Sequence, residues 1–447
     1  MSAAPSITIV GLGPGDPARR TIEVQNLLDS GARVFVRAHP GLDLGDLLAH
    51  ENVTDISGLR QHDAAPGGRW QAATDAVCDA AGHGPVVLAI PGHPRFGEGL
   101  VAGTLREADR RGLTTRVLDG ISVIDLLATA LGIDLLLDDV QCFNAREIVE
   151  TIPEGPFSGG LFTGSPRRPM LFTHVYDESI VTGVARALGR ILPPDHPVTV
   201  IEAAGMPGER ISQHTVGDLV DLPGGPLVAL YVPPQDVLAA GRDPRTMQHI
   251  SARLRAPDGC PWDRVQTHES LKASFLDEVY EVIDAIESGD TANLAEELGD
   301  LFLHIVLQAQ IAEEAGEFTI EDVYEGVAAK ILRRHPHVFA DETAETQADL
   351  SRIWQRVKAE EKRAAPSTKP EKDVDGQPHS MPALTRATRY FAKHPLPPNG
   401  ESLSSPEARS DQLLQAIAAI VQAGDDPERV LRDALREHVL QDQNRSS

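Results

Sequence analysis

Short apolar runs alternate with glycine and proline turns in the first half of the chain. SITIVGLG, ARVFVRA and GPVVLAIPGHP each combine β-branched residues with a turn, which predicts buried strands, and PLVALYVPP at 226–234 predicts another. TIEVQNLLDSG has apolar residues at helical spacing and ends at a glycine, which predicts a helix between two strands. This alternation of strands and helices predicts an α/β domain with a largely parallel sheet.

The pattern becomes helical after Gln248. Apolar residues at helical spacing predict helices near 245–255, 268–288, 291–315, 320–334 and 347–363. Residues 364–382 are polar and proline-rich, which predicts a loop, and two further helices are predicted near 408–423 and 427–440. We therefore expect a multidomain protein with an α/β domain at 1–240, an all-α helical bundle at 241–385 and a helical tail at 386–447.

Charge and cysteine content narrow the functional classes. The 447 residues include 41 basic and 66 acidic residues and carry a formal charge of −25, which argues against nucleic-acid and anionic-membrane partners. Three scattered cysteines predict no disulfide framework. The beginning, MSAAPSITIVG, lacks the basic and apolar regions of a signal peptide, and no apolar run is long enough to span a membrane. We expect a cytoplasmic protein.

Two acidic pairs lie on consecutive predicted helices. FLDEVYEVIDAI, 275–286, has a predicted buried apolar stripe beside Glu278 and Glu281, and the next helix carries Glu297 and Asp300 at the same spacing. An antiparallel helical hairpin would bring the two pairs face to face, where four carboxylates repel each other and raise each other's pKa values. A hard divalent cation such as Mg²⁺ relieves that repulsion and bridges to phosphates. A solvated acidic face is the alternative.

The residues around these pairs carry a resemblance. ExxE at 278–281 and ExxD at 297–300, with GCPWDRVQTHESL before them and KILRRHPHVFAD after them, resemble the MazG family of nucleoside triphosphate pyrophosphohydrolases. That family is all-α, Mg²⁺-dependent and usually dimeric, and it converts an NTP to NMP and pyrophosphate. The resemblance implies metal-binding and catalytic roles for Glu278, Glu281, Glu297 and Asp300. It implies phosphate or base contacts for Lys330, Arg334, Trp354 and Lys358.

Several neighbouring residues have simpler interpretations. Asp277 stands where the family often has glutamate, so its shorter arm would weaken a contact to a second metal ion. We expect His335 and His337 to cap or orient a loop, and His304 to be a helix-face residue rather than a ligand. Cys260 is predicted to be structural, because no His–Asp arrangement accompanies it.

Three small-residue loops follow predicted strands in the first half. GLGPGD at 11–16, IPGHPRFGEG at 90–99 and LDGIS at 118–122 resemble the tetrapyrrole methylase family, in the YabN-like branch that precedes MazG domains. The resemblance implies binding of S-adenosylmethionine by Gly11, Gly13, Gly92, His93, Gly120 and Ser122. His93 stands where the family usually has aspartate, so the contacts of this residue with a cofactor are expected to differ from those of other family members. A cofactor-sensing or purely structural module is the alternative to an active methyltransferase.

The sequence therefore predicts a nucleoside triphosphate pyrophosphohydrolase that uses Mg²⁺, with Mn²⁺ as the alternative ion, and that dimerises through its helical domain. Two alternatives remain open. One is an S-adenosylmethionine-dependent methyltransferase whose helical domain only dimerises, and the other is a non-enzymatic nucleotide-binding regulatory module. The tail at 386–447 lacks both acidic pairs and is predicted to be a remnant of a second MazG domain.

Overall fold

The computed structural model describes residues 6–39, 41–61, 68–152, 162–364, 382, 384–385, 388–389, 392, 406–431 and 433–434. The chain divides into two compact units, Met1–Tyr324 and Glu325–Ser447. The predicted domain limits at 240 and 385 stay a prediction.

A parallel sheet of five strands begins the first unit. Its strands are β1 (Ile7–Gly11), β2 (Arg33–Val36), β3 (Val53–Asp55), β4 (Val86–Ile90) and β5 (Thr115–Leu118), in the order β3-β2-β4-β1-β5. Every residue of β1 and β4 is buried, as expected for strands covered on both faces. Alternate residues enter different clusters, with Ile7 and Ile9 on one face and Val10 on the other.

Helices cover both faces of this sheet. They are α1 (Ile22–Leu28), α2 (Gln71–Ala81) and α3 (Gly99–Arg110), whereas α4 (Val123–Leu131) places Leu127 in a separate cluster with Leu171 and Ile201. Val77 of α2 and Leu100 of α3 pack in the cluster that contains Ile7, whereas Val24 of α1 packs in the cluster that contains Val10. The predicted α/β architecture is confirmed in this half of the domain.

The second sheet differs from the predicted parallel arrangement. Its strands are β6 (Gln141–Asn144), β7 (Met170–Thr173), β8 (Pro197–Glu202), β9 (Arg210–Thr215) and β10 (Val228–Val232), in the order β6-β7-β10-β8-β9. Only β6 and β7 are parallel, and the other pairs are antiparallel. Helices α5 (Ala145–Thr151) and α6 (Glu178–Leu188) accompany this sheet. A short connection between β8 and β9 permits the antiparallel pairing.

The helical part of the first unit contains α7 (Pro244–Arg255), α8 (Lys272–Ser288), α9 (Thr291–Glu314) and the start of α10 (Ile320–Arg334). Gly289 has a φ of 73° after α8, where a residue with a side chain is disfavoured. The Asp290 side chain then accepts hydrogen bonds from the amides of Ala292 and Asn293, which caps α9. The connection at residues 289–290 is therefore a tight turn, and α8 and α9 form the predicted helical hairpin.

The second unit contains the rest of α10, followed by α11 (Pro336–Phe339), α12 (Gln347–Ala364) and α13 (Pro406–Gln422). Ile353 and Val357 of α12 are buried, and Ile417 and Ala418 of α13 form a small cluster. Most of the loop predicted at 364–382 and the end of the helix predicted at 427–440 lie outside the described residues. Within the described residues, no helix has the length and apolar character needed to cross a membrane.

Candidate functional site

The hairpin brings three of the four predicted metal ligands together. Glu278 and Glu281 lie one turn apart on α8, and Glu297 lies on the facing helix α9. One carboxylate oxygen from each of these residues lies within 4.8 Å of the others. Asp300, one turn along α9 from Glu297, is outside that set of three oxygens. We call Glu278, Glu281, Glu297 and Asp300 the carboxylate cluster.

The charges of the cluster affect two of its pKa values. Partial burial, followed by the charges of Glu281 and Asp300, raises the pKa of Glu278. Partial burial, the charge of Glu281 and a hydrogen bond with Glu281 raise the pKa of Glu297, and Asp300 adds to the effect. No Lys or Arg in the described parts of the chain forms an ion pair with these four carboxylates. The cluster therefore fits a hard cation with oxygen ligands.

The apolar stripe beside the cluster is only partly buried. Four residues of the predicted buried stripe are half-buried: Phe275, Val279, Val282 and Ile283. Leu276 is 50% exposed and Ile286 is 60% exposed, so the prediction that they are buried is wrong. Leu298 and Ile305 of α9 are also exposed. The contact between α8 and α9 covers one face of each helix. Leu276, Ile286, Leu298 and Ile305 lie outside that contact.

His304 lies on the face of α9 that turns toward α8, and its prediction as a helix-face residue rather than a ligand stays a prediction. It is 8% exposed, and its Nε2 lies 3.8 Å from the Glu278 Oε1. Its ring meets that of Phe275 edge to face, with centroids 5.8 Å apart. Residue 304 lies on the same face of α9 as Glu297 and Asp300, so the hairpin encloses it together with Glu278.

The predicted substrate contacts lie in the second unit. The charged groups of Lys358 and Arg334 lie 5.3 Å and 5.9 Å from the Trp354 ring centroid. The ring of Trp354 is 39% exposed, and Lys330 is exposed on α10. These positions bring together three of the four predicted contacts. Their roles in binding stay a prediction.

Glu361 was not identified from the sequence. Its carboxylate accepts hydrogen bonds from the guanidinium groups of Arg333 and Arg334, at 2.7 Å and 2.9 Å. These bonds lower the pKa of Glu361 to about 2. Glu361 thereby fixes the side chain of Arg334. The spacing of Glu361 from Arg334, on a separate helix, gives no signal in the sequence.

Of the two histidines after α10, His335 has a hydrogen bond that orients the chain, whereas the role of His337 stays a prediction. His335 is the residue before the first turn of α11, and its Nδ1 lies 2.8 Å from the carbonyl oxygen of Ile331. Its ring lies 5.6 Å from that of His337 and meets Trp354 edge to face. The backbone amide of Cys260 donates to the Leu254 carbonyl at 2.8 Å, and a structural role for its thiol stays a prediction.

The three predicted cofactor loops meet at the carboxyl ends of the first sheet. The amide of Gly92 donates to the carbonyl of Gly13 at 2.7 Å. A Cβ on Gly11 would lie 2.5 Å from the Gly92 oxygen and 2.8 Å from the Gly120 Cα. Glycine at 11 and 120 is therefore explained by backbone packing between the loops.

A cleft of about 120 Å³ opens beside these loops. It is lined by Gly92, His93 and Ser122, and by apolar residues such as Leu127 and Ala204. Ser122 caps α4 by accepting from the Ile124 amide, and Asp125 completes the capping box. His93 Nδ1 accepts from the Arg95 amide, and its Nε2 lies 3.4 Å from Asp119. Both His93 nitrogens thus have protein partners, and the ring has a fixed orientation. Binding of a cofactor by these residues stays a prediction.

A second cavity, of about 750 Å³, adjoins the cleft and contains several arginines. We call it the arginine-lined cavity; it includes Arg37, Arg60, Arg69 and Arg146. Glu98 pairs with Arg37, whereas Glu150 pairs with both Arg69 and Arg146.

Arg60 differs from the other three arginines of the cavity. It has no carboxylate partner among the described residues, and the Nε atoms of Arg37, Arg60 and Arg69 are buried without a hydrogen-bond partner there. The sequence pattern does not reveal this cavity, because its arginines are spread along the chain and come from different elements and loops. The Arg60 guanidinium lies over the Trp70 ring, and its charge has no carboxylate partner among the described residues, which favours an anionic ligand.

Two family models match the chain. A model described as MazG nucleotide pyrophosphohydrolase domain matches residues 266–339, and a model described as Tetrapyrrole (Corrin/Porphyrin) Methylases matches residues 6–220. These segments contain the carboxylate cluster and the three glycine loops, respectively. Both resemblances and their order along the chain are confirmed.

Curated relatives show the same division. The chain is 32% identical over 397 residues to the uncharacterized protein YabN of Bacillus subtilis, covering 86% of this chain and 76% of that protein. It is 49% identical over 113 residues to the nucleoside triphosphate pyrophosphohydrolase/pyrophosphatase MazG of Thermotoga maritima, covering 25% of this chain and 43% of that protein.

A third relative is the nucleoside triphosphate pyrophosphohydrolase of Escherichia coli K12. The identity is 43% over 143 residues, covering 31% of this chain and 52% of that protein. The chain thus spans about half the length of each of these two pyrophosphohydrolases.

Proposed function

Because the chain belongs to the family of YabN-type proteins, with a tetrapyrrole methylase domain ahead of a MazG domain, we propose that it is a nucleoside triphosphate pyrophosphohydrolase. It converts an NTP and water to NMP and pyrophosphate. The observation that supports this most directly is the group of three carboxylate oxygens, from Glu278, Glu281 and Glu297, within 4.8 Å of one another.

The carboxylate cluster would hold Mg²⁺, or Mn²⁺ in its place. When bound, such an ion supplies charge neutralisation for phosphate oxygens and lowers the pKa of a coordinated water. No lysine or arginine side chain in the described regions pairs with the carboxylates, so their negative charge is left for a cation to neutralise. Asp300 adds negative charge beside Glu278 and Glu297, which strengthens the preference for a divalent over a monovalent ion.

We propose nucleotide-binding roles for four residues of the second unit, Lys330, Arg334, Trp354 and Lys358. Lys330, Lys358 and Arg334 carry the positive charges that a triphosphate requires, and the exposed Trp354 ring has a face on which a base can stack. Glu361 accepts hydrogen bonds from Nε and Nη2 of Arg334, which fixes the orientation of the guanidinium and lowers the side-chain entropy that a phosphate contact would cost.

Product analysis in isotopic water tests the proposal. The full-length protein is incubated with each common NTP and dNTP and Mg²⁺ in H₂¹⁸O, and the products are separated by chromatography and weighed by mass spectrometry. NMP and pyrophosphate, with ¹⁸O in one of them and loss of activity on adding EDTA, are expected. Glu281→Gln should lower kcat by at least about a hundredfold, whereas the control Asp284→Asn, an exposed residue on the same helix, should not.

Release of NDP and phosphate would move the cut to the β–γ bond and refute the proposal. Retention of normal turnover by Glu281→Gln would refute the assignment of the carboxylate cluster as the metal site. The position of ¹⁸O further decides which phosphorus the water attacks, since label in NMP requires attack at the α-phosphate.

We also propose a homodimer formed through the helical hairpin. Five large apolar side chains remain exposed along α8 and α9: Leu276, Tyr280 and Ile286 on α8, and Leu298 and Ile305 on α9. A row of this kind is typical of a surface that another chain covers.

A second candidate function is methyl transfer from S-adenosylmethionine to an anionic acceptor. The arginine-lined cavity favours it, because Arg60 lacks a carboxylate partner among the described residues and the cavity adjoins the cleft beside the glycine loops. When bound, S-adenosylmethionine would supply the electrophilic methyl group. Gly92, His93 and Ser122 line the cleft in which it would be held, and the loops keep those residues in place.

Calorimetric titration of the full-length protein with S-adenosylhomocysteine tests the cleft. Val123 is 36% exposed and lines it, so Val123→Trp should fill the space and abolish binding. Val220→Trp, a substitution at an exposed residue outside the cleft, should leave binding unchanged. No binding by the unaltered protein would identify the domain as a structural module, and equal loss in both variants would show that the cleft is not the site.

A further inference from the structure

We propose that His304 is a positioning residue, which holds Glu278 in the orientation that metal binding requires. The proposal rests on the proposed metal-binding role of the carboxylate cluster. It assigns a function to a histidine that the sequence pattern placed on a helix face.

The surroundings of His304 fix the ring. The residue is 8% exposed, and the Phe275 ring meets it edge to face at a centroid distance of 5.8 Å. Phe275 lies one turn before Glu278 on α8, so the same helix that carries the carboxylate also packs against the imidazole. The ring can therefore rotate little without disturbing the α8–α9 contact.

The polar atoms of the pair are incompletely satisfied. Nε2 of His304 lies 3.8 Å from Oε1 of Glu278, beyond hydrogen-bond range. The other carboxylate oxygen, Oε2, and the His304 Nδ1 are both buried and have no hydrogen-bond partner among the described residues. Buried polar atoms of this kind are costly, and a small movement of the Glu278 side chain that brings Oε2 within reach of Nε2–H would give that oxygen a donor.

A hydrogen bond from the imidazole would constrain Glu278. With one oxygen held by Nε2–H, the other oxygen is directed toward Glu281 and Glu297, where the three-carboxylate group lies. Carboxylates that bind metals are commonly held by a hydrogen bond of this type, and loss of such a partner weakens metal affinity by about 10- to 100-fold. No basic side chain of α8 or α9 is paired with Glu278 in its place.

Two variants of the full-length protein separate this role from packing. His304→Phe keeps an aromatic ring against Phe275 but removes the N–H donor, whereas His304→Gln retains an amide donor at the reach of Nε2. The probe is Mn²⁺ alone, and its dissociation constant is measured by electron paramagnetic resonance. We expect His304→Phe to weaken Mn²⁺ binding by about tenfold or more and His304→Gln to remain within about threefold of the unaltered protein.

Turnover gives a second measurement. His304→Phe should need a correspondingly higher Mn²⁺ concentration for half-maximal NMP release, with kcat largely recovered at saturating Mn²⁺. Thermal melting in EDTA establishes that both variants fold.

Unchanged Mn²⁺ affinity in His304→Phe overturns the proposal, as does equal weakening in both variants, which would indicate packing alone. The proposed pyrophosphohydrolase activity fails separately if the unaltered protein binds Mn²⁺ but releases no NMP. In that case the affinity difference between the two variants still decides the role of His304. An unaltered protein that binds no Mn²⁺ overturns both.

Discussion

His174 lies between the cleft and the arginine-lined cavity and lines both. Its backbone has a φ of 63°, which is uncommon for a residue with a side chain, and its Nδ1 lies 2.9 Å from the Thr173 hydroxyl. Burial, followed by the positive charges of Arg37 and His39, lowers the pKa of His174 from 6.5 to about 4. The ring is thus neutral in the folded protein at neutral pH.

This lowered pKa predicts a pH-dependent stability. The unfolded chain takes up the proton near pH 6.5, whereas the folded protein does so only near pH 4, so the free energy of unfolding falls as pH falls through that window. The maximal loss is about 3 kcal/mol, at about 1.4 kcal/mol per pKa unit. Urea unfolding followed by tryptophan fluorescence at pH 7 and pH 5 should show a smaller difference in His174→Gln than in the unaltered protein.

His83→Gln is the matched control, because His83 is exposed on the surface of the same domain. It should leave the difference in unfolding free energy between pH 7 and pH 5 unchanged. If His174→Gln has the same pH dependence as the unaltered protein, His174 is accessible enough to titrate normally and the stability argument fails.

At the scale of elements, the three glycine loops form one unit. Gly11 ends β1, and the ends of β1 and β4 are linked by the bond from the Gly92 amide to Gly13. A Cβ at residue 11 would enter the space of the Gly92 carbonyl and the Gly120 backbone, and backbone atoms of paired loops have little room to move.

Gly11→Ala should therefore destabilise the protein by about 1–3 kcal/mol without any ligand present. Gly58→Ala is the control, because no atom lies within 4 Å of the Cβ that it would add. Gly58→Ala should change the free energy of unfolding by less than about 0.5 kcal/mol. Chemical denaturation monitored by circular dichroism measures both. A neutral Gly11→Ala would mean that the loops separate easily, and the glycine would then need another explanation.

The elements also show how far the sequence could predict the structure. The acidic pairs on two consecutive predicted helices indicate an antiparallel hairpin, and the structure brings Glu278, Glu281 and Glu297 together in that way. The periodicity could not predict the burial of His304, because Phe275, its packing partner, lies on the other helix.

The predictions for the N-terminal domain were limited in a similar way. Strand patterns record burial but not direction, so the antiparallel pairings of β8 with β9 and β10 were missed. The arginine-lined cavity was missed because its four arginines lie far apart in the sequence and meet only when both sheets have formed.

At the scale of the whole molecule, exposed apolar side chains favour the association of two copies of the chain, and the net charge opposes it. The chain carries a formal charge of −25, so two copies repel at long range. Ile286 is 60% exposed near the end of α8, on the helix that also exposes Leu276 and Tyr280. In a homodimer, the free energy gained by burying these side chains would have to exceed the free energy of repulsion between the protomers. Salt weakens that repulsion, because the screening length is about 10 Å at 0.1 M ionic strength.

The proposed dimer should therefore tighten as salt is added. Sedimentation velocity at 20 mM and 300 mM NaCl should give a lower dissociation constant at the higher concentration. Ile286→Arg places a charge in the apolar row and should raise the dissociation constant by about tenfold or more, since each 1.4 kcal/mol is tenfold. Leu238→Arg, at a residue that is 64% exposed outside the helical hairpin, adds the same charge and should leave the dissociation constant unchanged.

Equal effects of the two substitutions would assign the change to net charge and remove α8 from the interface. A monomer at both salt concentrations would leave the exposed row on α8 and α9 without a partner copy, and the proposal of a homodimer would be wrong.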